Sequence, residues 1–271
     1  MKRALQLCLG AAVYAWWRLF RPAHLVSIRE QLFASHQLSL LERHTLAFTH
    51  FLTRMDTRSA SGCWAGSAGS RFHAHGDHRL TLEVVTADTF YRRPMLEEFA
   101  RWTAQTLRPG ASIVEIGCGA GGNLLYLRQQ LASRGFRFVG YDINRAVIAS
   151  NRQHESADLS FEVRDCFSAA ITVPRDLGVI CCAVLMYAQE PDIRRLLQGI
   201  ASACPGRILL GISEPALDPE APRALPHSSM ALLHGYRRIL RDLGFRQRFE
   251  AFRQENNKPS SIYHAVFELP R

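Results

Sequence analysis

The sequence predicts an α/β protein with a mostly parallel sheet of seven strands, helices on both faces and a C-terminal antiparallel hairpin, plus a helical N-terminal extension. Three observations carry this prediction. From residue 111 onward, short apolar runs alternate with segments whose apolar residues recur at helical spacing. The last two predicted strands, 246–252 and 261–269, follow each other with no helix between them. The part before residue 88 lacks this alternation.

Each predicted element has its own pattern. Five buried strands are expected at 111–117, 136–142, 159–165, 177–185 and 206–214. Helices are expected from near Pro94, up to Leu131, at 144–153, at 191–203 and from about His227 to Leu243. The run "LGVICCAVL" at 177–185 is apolar on both faces, which is typical of the centre of a parallel sheet. Ligands of such sheets bind at the carboxyl ends of the strands.

The N-terminal part is predicted as two segments, an apolar helix at 1–24 and a helical and loop extension at 25–87, followed by the α/β domain at 88–271. The first segment has a basic start and no small-residue cleavage site, so a secretory signal is not favoured. It is also short for a membrane span, which needs about 20 apolar residues. Tryptophans beside arginines suit a membrane interface. Packing on the protein's own body or on a second subunit explains the segment equally well.

Charge and cysteine content narrow the function classes. The formal net charge is +9, but the basic residues are almost all arginines scattered along the chain. We interpret this basicity mainly as codon or lineage bias, with some contribution to binding anionic substrates or membrane surfaces, and we do not expect nucleic acid as a partner. Seven cysteines without a C-x-x-C pair suit a reducing cytosol better than a disulfide framework. The expected location is therefore the cytoplasm, with attachment to the cytoplasmic face of the inner membrane as the variant that a membrane-interface helix implies.

The stretch "SIVEIGCGAGGNLLYL" at 112–127 raises the question of the ligand. Its glycines fit the dinucleotide fingerprint, but Glu115 precedes them and would repel a pyrophosphate at the helix N-terminus. A ligand with a positive amino group, a ribose and an adenine, but no phosphates, fits better. Asp142 would accept hydrogen bonds from the ribose hydroxyls, and Asp165 would accept one from the adenine amino group. S-adenosylmethionine is such a ligand.

Four stretches carry a family resemblance: "VEIGCGAGGNLLYL", "GYDIN", "VRDCF" and "DLGVICCAVLMYAQEPDIRRLL". Together they resemble the class I S-adenosylmethionine-dependent methyltransferases, which have a Rossmann-like fold. The resemblance covers the chain from about Pro94 to its end. It implies a cofactor site made by Glu115, Gly117, Cys118, Gly119, Gly121, Asp142, Ile143, Asp165, Cys166, Cys182 and Ala183. Tyr91, just upstream of this region, is a further candidate that would close over the cofactor.

The acceptor is less well defined by the sequence. In the family that this chain resembles, methyltransferases that modify exocyclic amines of bases carry the motif [N/D/S]-P-P-[Y/F/W] after the fourth strand. This chain has "CCAVLMYAQEP" there instead. We therefore expect a small-molecule, saccharide or lipid-linked acceptor, methylated on oxygen. Candidate base or acceptor-orienting residues are Glu214, His227 and His234. Their alternatives are that Glu214 braces a loop, His227 caps a helix and His234 lies at the surface.

Other interpretations remain open. The stretch "HAHGDH" at 73–78 has the metal-binding spacing of the metallo-β-lactamase superfamily, but it lacks that superfamily's preceding buried strand and following glycines. We therefore interpret it as a solvated loop and expect no metal. An NAD-type oxidoreductase is less favoured because of Glu115. A catalytically inactive methyltransferase-like scaffold is the main non-enzyme alternative, and a homodimer is compatible with the N-terminal helices.

Overall fold

The computed structural model describes residues 2–21, 39–42, 44–45, 48, 93–168, 171, 175–226, 231–254 and 261–270. The chain divides into two compact units. One comprises Met1–His75 and Ser228–Met230, and the other comprises Gly76–His227 and Ala231–Arg271. The boundaries predicted from the sequence at residues 24 and 87 stay predictions.

In the first unit, helix α1 runs from Lys2 to Phe20. Its inner face is closely packed, because a side chain at Gly10 would clash with the backbone carbonyl of His44. The ring of Tyr14 lies 5.5 Å from that of Phe48, edge to face. In the part of the chain that the structure describes, no helix is long and apolar enough to cross a membrane.

The helical and loop extension predicted for 25–87 is only partly described. The Ser39 N–H donates to Glu42 Oε2 at 2.8 Å, and the Glu42 N–H donates to Ser39 Oγ at 3.4 Å. This reciprocal pair is a capping box, so a helix begins after Ser39. Most of 25–55 and all of 56–92 lie outside the described residues.

The second unit contains all the strands of the described part. They are β1 (Ser112–Ile116), β2 (Arg137–Asp142), β3 (Leu159–Val163), β4 (Leu177–Cys182), β5 (Ile208–Ala216), β6 (Leu225–Pro226), β7 (Leu232–Leu233), β8 (Arg246–Gln254) and β9 (Ser261–Leu269). Its helices are α2 (Arg93–Thr106), α3 (Gly122–Gln130), α4 (Arg145–Asn151), α5 (Glu190–Ala203) and α6 (Tyr236–Asp242). Short 3-10 turns follow α3, α4 and β4.

Seven of these strands form one sheet in the order β3-β2-β1-β4-β5-β9-β8. The strands from β3 to β5 are parallel, while β9 runs antiparallel to both β5 and β8. The order reverses at β1, which pairs with β2 on one side and β4 on the other. This is the topological switch at which ligands of such sheets bind. The predicted fold class, including the C-terminal hairpin, is confirmed.

The sheet is covered on both faces, as the apolar runs predicted. Ile113 and Val114 are adjacent in β1 but belong to different apolar clusters, because successive strand residues point to opposite faces. Helices α2, α3 and α4 contribute to the cluster of Ile113, and helices α5 and α6 to that of Val114. Because the core packs on both faces of the sheet, it fixes the position of each strand end. The residues of the candidate site lie at these strand ends.

One predicted element is wrong in its extent. The helix expected from about His227 begins only at Tyr236, and Leu232–Leu233 pairs instead with Leu225–Pro226 as β7 and β6. Gly235 packs directly on the backbone of Ala221, where any side chain would clash. This contact fixes the chain in a non-helical conformation just before α6.

Candidate active site

The turn between β1 and α3 is held in a left-handed conformation by three glycines. Gly117, Gly119 and Gly121 have φ values of 68°, 50° and 79°, and glycine adopts such values at little cost. The Cys118 N–H donates to the Tyr141 carbonyl at 2.9 Å, which ties the turn to β2. Gly121 is the N-cap of α3 and provides no side-chain cap. These three positions carry no Cβ atom, so a ligand can approach the backbone closely at the crest of the sheet, the line formed by the carboxyl ends of the strands.

Gly117 also sets the spacing between two loops. A Cβ atom at this position would lie 2.6 Å from Cγ2 of Val184, in the loop after β4. Real Cβ atoms do not make contacts this short, so any side chain at Gly117 would push the two loops apart. The two loops that flank the topological switch are thus in direct contact.

Asp142 connects the glycine turn to the next βα loop. Its Oδ2 accepts from the Gly119 N–H at 3.1 Å, and its Oδ1 accepts from the Asn144 N–H at 2.8 Å. The side chain is only 7% exposed. A carboxylate can accept about four hydrogen bonds, so each oxygen retains the capacity to accept from a ligand hydroxyl.

Glu115 lies at the end of β1, where the sequence expected it to face the cofactor. It is 1% exposed, and its Oε1 accepts from Asn123 Nδ2 at 2.6 Å. Among the described residues, Oδ1 of Asn123 is buried and has no hydrogen-bond partner. Asn123 belongs to the first turn of α3, so these two side chains place acceptor oxygens beside the glycine turn. Such a donor-poor, acceptor-rich group fits an ammonium ligand better than a phosphate.

Three asparagines were missed by the sequence interpretation. Besides Asn123, Asn144 caps α4 by accepting from the N–H groups of Ala146 and Val147. Asn151 donates from Nδ2 to the Gly119 carbonyl at 2.6 Å. Asn144, two residues after Asp142, is thus the N-cap of α4. A polar residue just before an apolar helical run is the signal for such a cap. Asn151 carries no comparable signal.

The end of β4 has an unusual backbone. Ala183 has φ 55°, and it is the only non-glycine residue with positive φ in the described part of the chain. Its N–H donates to the Ser213 carbonyl at 3.0 Å. An L-residue held in this region costs about 1–2 kcal/mol, so surrounding contacts must hold it there. Cys182 and Ala183 lie at the carboxyl end of β4, which pairs with β1.

Glu214 provides those contacts. Its Oε1 accepts from the N–H groups of Val184 and Leu185, both at 2.9 Å, and its Oε2 lies 3.4 Å from the N–H of Met186. The residue is 0% exposed. These bonds occupy the carboxylate with the loop after β4, which favours the bracing role that the sequence left open.

Asp165 and Cys166 follow β3, next to the end of β2. The Asp165 carboxylate accepts from the Phe167 N–H at 3.1 Å and from Ser168 Oγ at 2.7 Å, and the residue is half-buried. Burial raises the pKa of the Cys166 thiol to about 12. Burial also raises the pKa values of Cys118 and Cys181. These thiols are therefore neutral packing groups.

His234 is fully buried, so the alternative that it lies at the surface is wrong. Its Nε2 lies 3.1 Å from the Ala188 carbonyl, and its ring contacts that of Tyr236 edge to face. Burial lowers the pKa of His234 to about 4; the Ala188 carbonyl and Glu190 oppose this shift, while Arg238 adds to it. A carbonyl only accepts, so Nε2 carries the proton and Nδ1 presents a lone pair. Nδ1 has no partner within the described residues.

Two predicted site residues and one predicted cluster cannot be placed. Tyr91, His227 and the histidines of the "HAHGDH" stretch at 73–78 lie outside the described residues. Within the described ranges, no group of three or more His, Cys, Asp or Glu side chains could hold a metal ion. The remaining predicted cofactor residues all lie at or next to the carboxyl ends of β1 to β4.

Comparison with known proteins agrees with this geometry. Residues 113–205 match the family model described as "Methyltransferase domain". No curated protein matches the sequence as a relative. Magnesium protoporphyrin IX methyltransferase from Synechocystis PCC 6803 with bound SAM is similar in structure, with 18% identity, coverage of 79% of this chain and 95% of that chain, and a TM-score of 0.52. The SAH-bound form of the same enzyme has 18% sequence identity, covers 79% of this chain and 98% of that chain, and has a TM-score of 0.53. The [4+2]-cyclase SpnF gives 13% identity, 65% and 80% coverage and a TM-score of 0.50.

The sheet order, the glycine turn and the acids at the ends of β1 and β2 thus define a class I methyltransferase fold. The match at residues 113–205 to a methyltransferase domain agrees with the family that the sequence motifs resemble.

Proposed function

We propose that this protein transfers the methyl group of S-adenosylmethionine to an oxygen atom of a small-molecule, saccharide or lipid-linked acceptor. The main support is the pair of buried acids at neighbouring strand ends, Glu115 and Asp142, on either side of the glycine turn. Two carboxylates at a helix N-terminus oppose a pyrophosphate and favour a cationic nucleoside. The family match at 113–205 supports the same donor.

The residues at the crest have separable roles in holding the donor. Glu115 and Asn123 would accept from the ammonium group, and the free acceptor positions of Asp142 would bind the ribose hydroxyls. Asp165 would bind near the adenine, and the backbone at Cys182 and Ala183 would line the methionine part. The donor supplies an activated methyl group on a sulfonium, so the protein's main task is alignment.

His234 is our candidate for orienting the acceptor. Its imidazole is neutral at physiological pH, and the Nε2–H is engaged with the Ala188 carbonyl. Nδ1 is therefore a fixed hydrogen-bond acceptor that suits a hydroxyl group better than an ammonium. This supports an oxygen acceptor. Glu214 would act by positioning the loop after β4, and His227 stays a candidate for contact with the acceptor.

A reducing, cytoplasmic location is part of the proposal. Among the described residues, no disulfide joins any of Cys8, Cys118, Cys166, Cys181, Cys182 and Cys204. Buried free thiols are compatible with a compartment that keeps cysteines reduced.

The scaffold alternative deserves a direct test, because SpnF shares the fold and is named as a cyclase. Purified protein would be incubated with cell extracts and S-adenosylmethionine labelled in its methyl group. We expect label in an acceptor of low molecular mass, and mass spectrometry of the labelled product should place the methyl group on an oxygen atom. His234→Gln, which keeps a donor toward Ala188, should raise the acceptor KM while leaving donor affinity unchanged. Donor binding without any labelled product would support the scaffold alternative.

A further inference from the structure

Helix α1 has an apolar face that nothing in the described part of the chain covers. The face opposite to Gly10 and Trp17, both buried, presents the exposed residues Cys8, Leu9, Ala12, Ala15, Trp16, Leu19 and Phe20. Trp16, Leu19 and Phe20 are 49%, 76% and 69% exposed. A surface helix normally turns charged and polar residues outward. Here both the packed face and the outward face are apolar.

The charges around this face have one sign. Arg18 and Arg21 are exposed at the C-terminal end of α1, and Lys2 and Arg3 lie in the sequence at its N-terminal end. The first acidic residue of the chain is Glu30. The aromatic rings of Trp16 and Phe20 lie 6.1 Å apart, near the C-terminal arginines. Apolar side chains flanked by cations, with tryptophan among them, are typical of helices that lie in the plane of an anionic membrane surface.

We propose that the outward face of α1 binds the surface of a bilayer that contains anionic lipids, with the helix axis parallel to the membrane. The helix has 19 residues and does not qualify as a membrane span, which favours the in-plane orientation. Apolar burial and attraction of the arginines to lipid headgroups both contribute to such binding. The surface would hold the enzyme where a lipid-linked or membrane-dissolved acceptor is found. The binding itself does not depend on the proposed function.

The test uses the full-length protein and sedimentation with two kinds of vesicle, pure phosphatidylcholine and phosphatidylcholine with phosphatidylglycerol. We expect the protein to partition onto the anionic vesicles and much less onto the neutral ones. The double variant Trp16→Ala, Phe20→Ala should lower the partition coefficient by roughly ten-fold or more. Arg18→Gln with Arg21→Gln should weaken binding to anionic vesicles and reduce its sensitivity to salt.

Leu217→Ala is the matched control. Leu217 is 56% exposed and belongs to the other unit, so removing it should leave vesicle binding unchanged. Donor affinity of every variant, measured by calorimetry, reports that the methyltransferase domain is folded. The proposal is wrong if wild-type protein does not bind anionic vesicles. It is also wrong if the Trp16 and Phe20 substitutions convert a dimer to a monomer without changing vesicle binding, because the face would then join two copies of the chain.

Discussion

The Glu214 carboxylate accepts a hydrogen bond from the Val184 N–H at 2.9 Å, across 30 residues of sequence. This contact joins the end of β5 to the loop after β4, where Ala183 has its positive φ. Since Val184 in turn packs on Gly117, one buried acid holds the spacing of the loops on both sides of the topological switch. Glu214 is thus a positioning residue for the donor site.

Replacement of Glu214 by glutamine tests this role. The amide has one acceptor oxygen and directs an NH2 group toward backbone N–H groups, so we expect a loss of about 1–3 kcal/mol in the free energy of unfolding. Donor Kd should rise by about ten-fold, since the loop shifts. Glu220→Gln is the control, because Glu220 forms an exposed ion pair with Arg241. A large loss of kcat and of the acidic limb of the pH profile, at unchanged donor affinity, would instead identify Glu214 as the catalytic base.

The contact between Gly117 and Val184 can be tested with a double-mutant cycle. Gly117→Ala introduces a Cβ at positive φ, 2.6 Å from Val184 Cγ2, and should cost about 1–3 kcal/mol of stability and weaken donor binding. Val184→Ala removes the clashing methyl groups. The double variant should therefore recover part of the loss, and the coupling energy should differ clearly from zero. Strict additivity of the two substitutions, measured by urea unfolding and calorimetry, would show that the loops do not touch.

His234 predicts a pH dependence of stability. Its pKa is about 4 in the folded protein and about 6.5 when unfolded. Its contribution is complete above pH 6.5 and is lost as the pH falls toward 4, because only the unfolded chain binds the proton there. Between pH 7.5 and 5, wild type should lose about 2 kcal/mol more than His234→Gln. His154→Gln is the control. Identical pH curves for wild type and His234→Gln would contradict a buried, neutral imidazole.

Asp176 should affect stability without affecting the site. It directly precedes β4, so it lies at the amino end of that strand, whereas the candidate site lies at the carboxyl ends of the strands. It is 1% exposed, and its carboxylate accepts from the N–H groups of Arg108 and Arg207, each at 3.0 Å, and from the Arg108 guanidinium. These bonds, led by that of the guanidinium, lower its pKa from 3.8 to about 2.

Asp176→Asn should therefore destabilise the protein by about 1–3 kcal/mol at neutral pH, because the amide cannot accept all these bonds. The carboxylate's stabilising effect is complete above its unfolded pKa of 3.8 and is lost as the pH falls to 2. Urea unfolding at neutral pH and at acid pH measures both effects. Donor affinity should equal that of wild type. A weakened affinity would mean that the amino ends of the strands are coupled to the site at their carboxyl ends.

The fold could be predicted from the sequence where local pattern and burial agree. The run at 177–185 is apolar on both faces because β4 lies at the centre of the sheet, and the glycine turn is readable because its backbone needs positive φ. The late start of α6 could not be predicted, since it depends on Gly235 packing against Ala221. The apolar spacing at 227–243 fits a helix equally well.

The positions of the acidic residues in the candidate site could be predicted from the sequence. The side chains and backbone groups that hydrogen-bond within the site could not. Glu115 and Asp142 directly follow or end apolar strands, so their position at the crest follows from the strand pattern. The bonds of Asn123 to Glu115 and of Asn151 to Gly119 join segments 8 and 32 residues apart. Only the packed structure brings such groups together. The positive φ of Ala183 has no sequence signal for the same reason, since a distant carboxylate imposes it.

Calorimetric titration of the full-length protein with S-adenosylmethionine and, separately, with NAD⁺ tests the central claim most directly. We expect S-adenosylmethionine to bind with a Kd in the micromolar range and NAD⁺ not to bind. Asp142→Asn should weaken binding by roughly 10- to 100-fold, because the new amide opposes the Gly119 or Asn144 N–H and removes acceptors for the ribose. Asp158→Asn, which removes a surface partner of Arg128, should bind as wild type does. Binding of NAD⁺ at this site, or full affinity for S-adenosylmethionine in Asp142→Asn, would contradict the account.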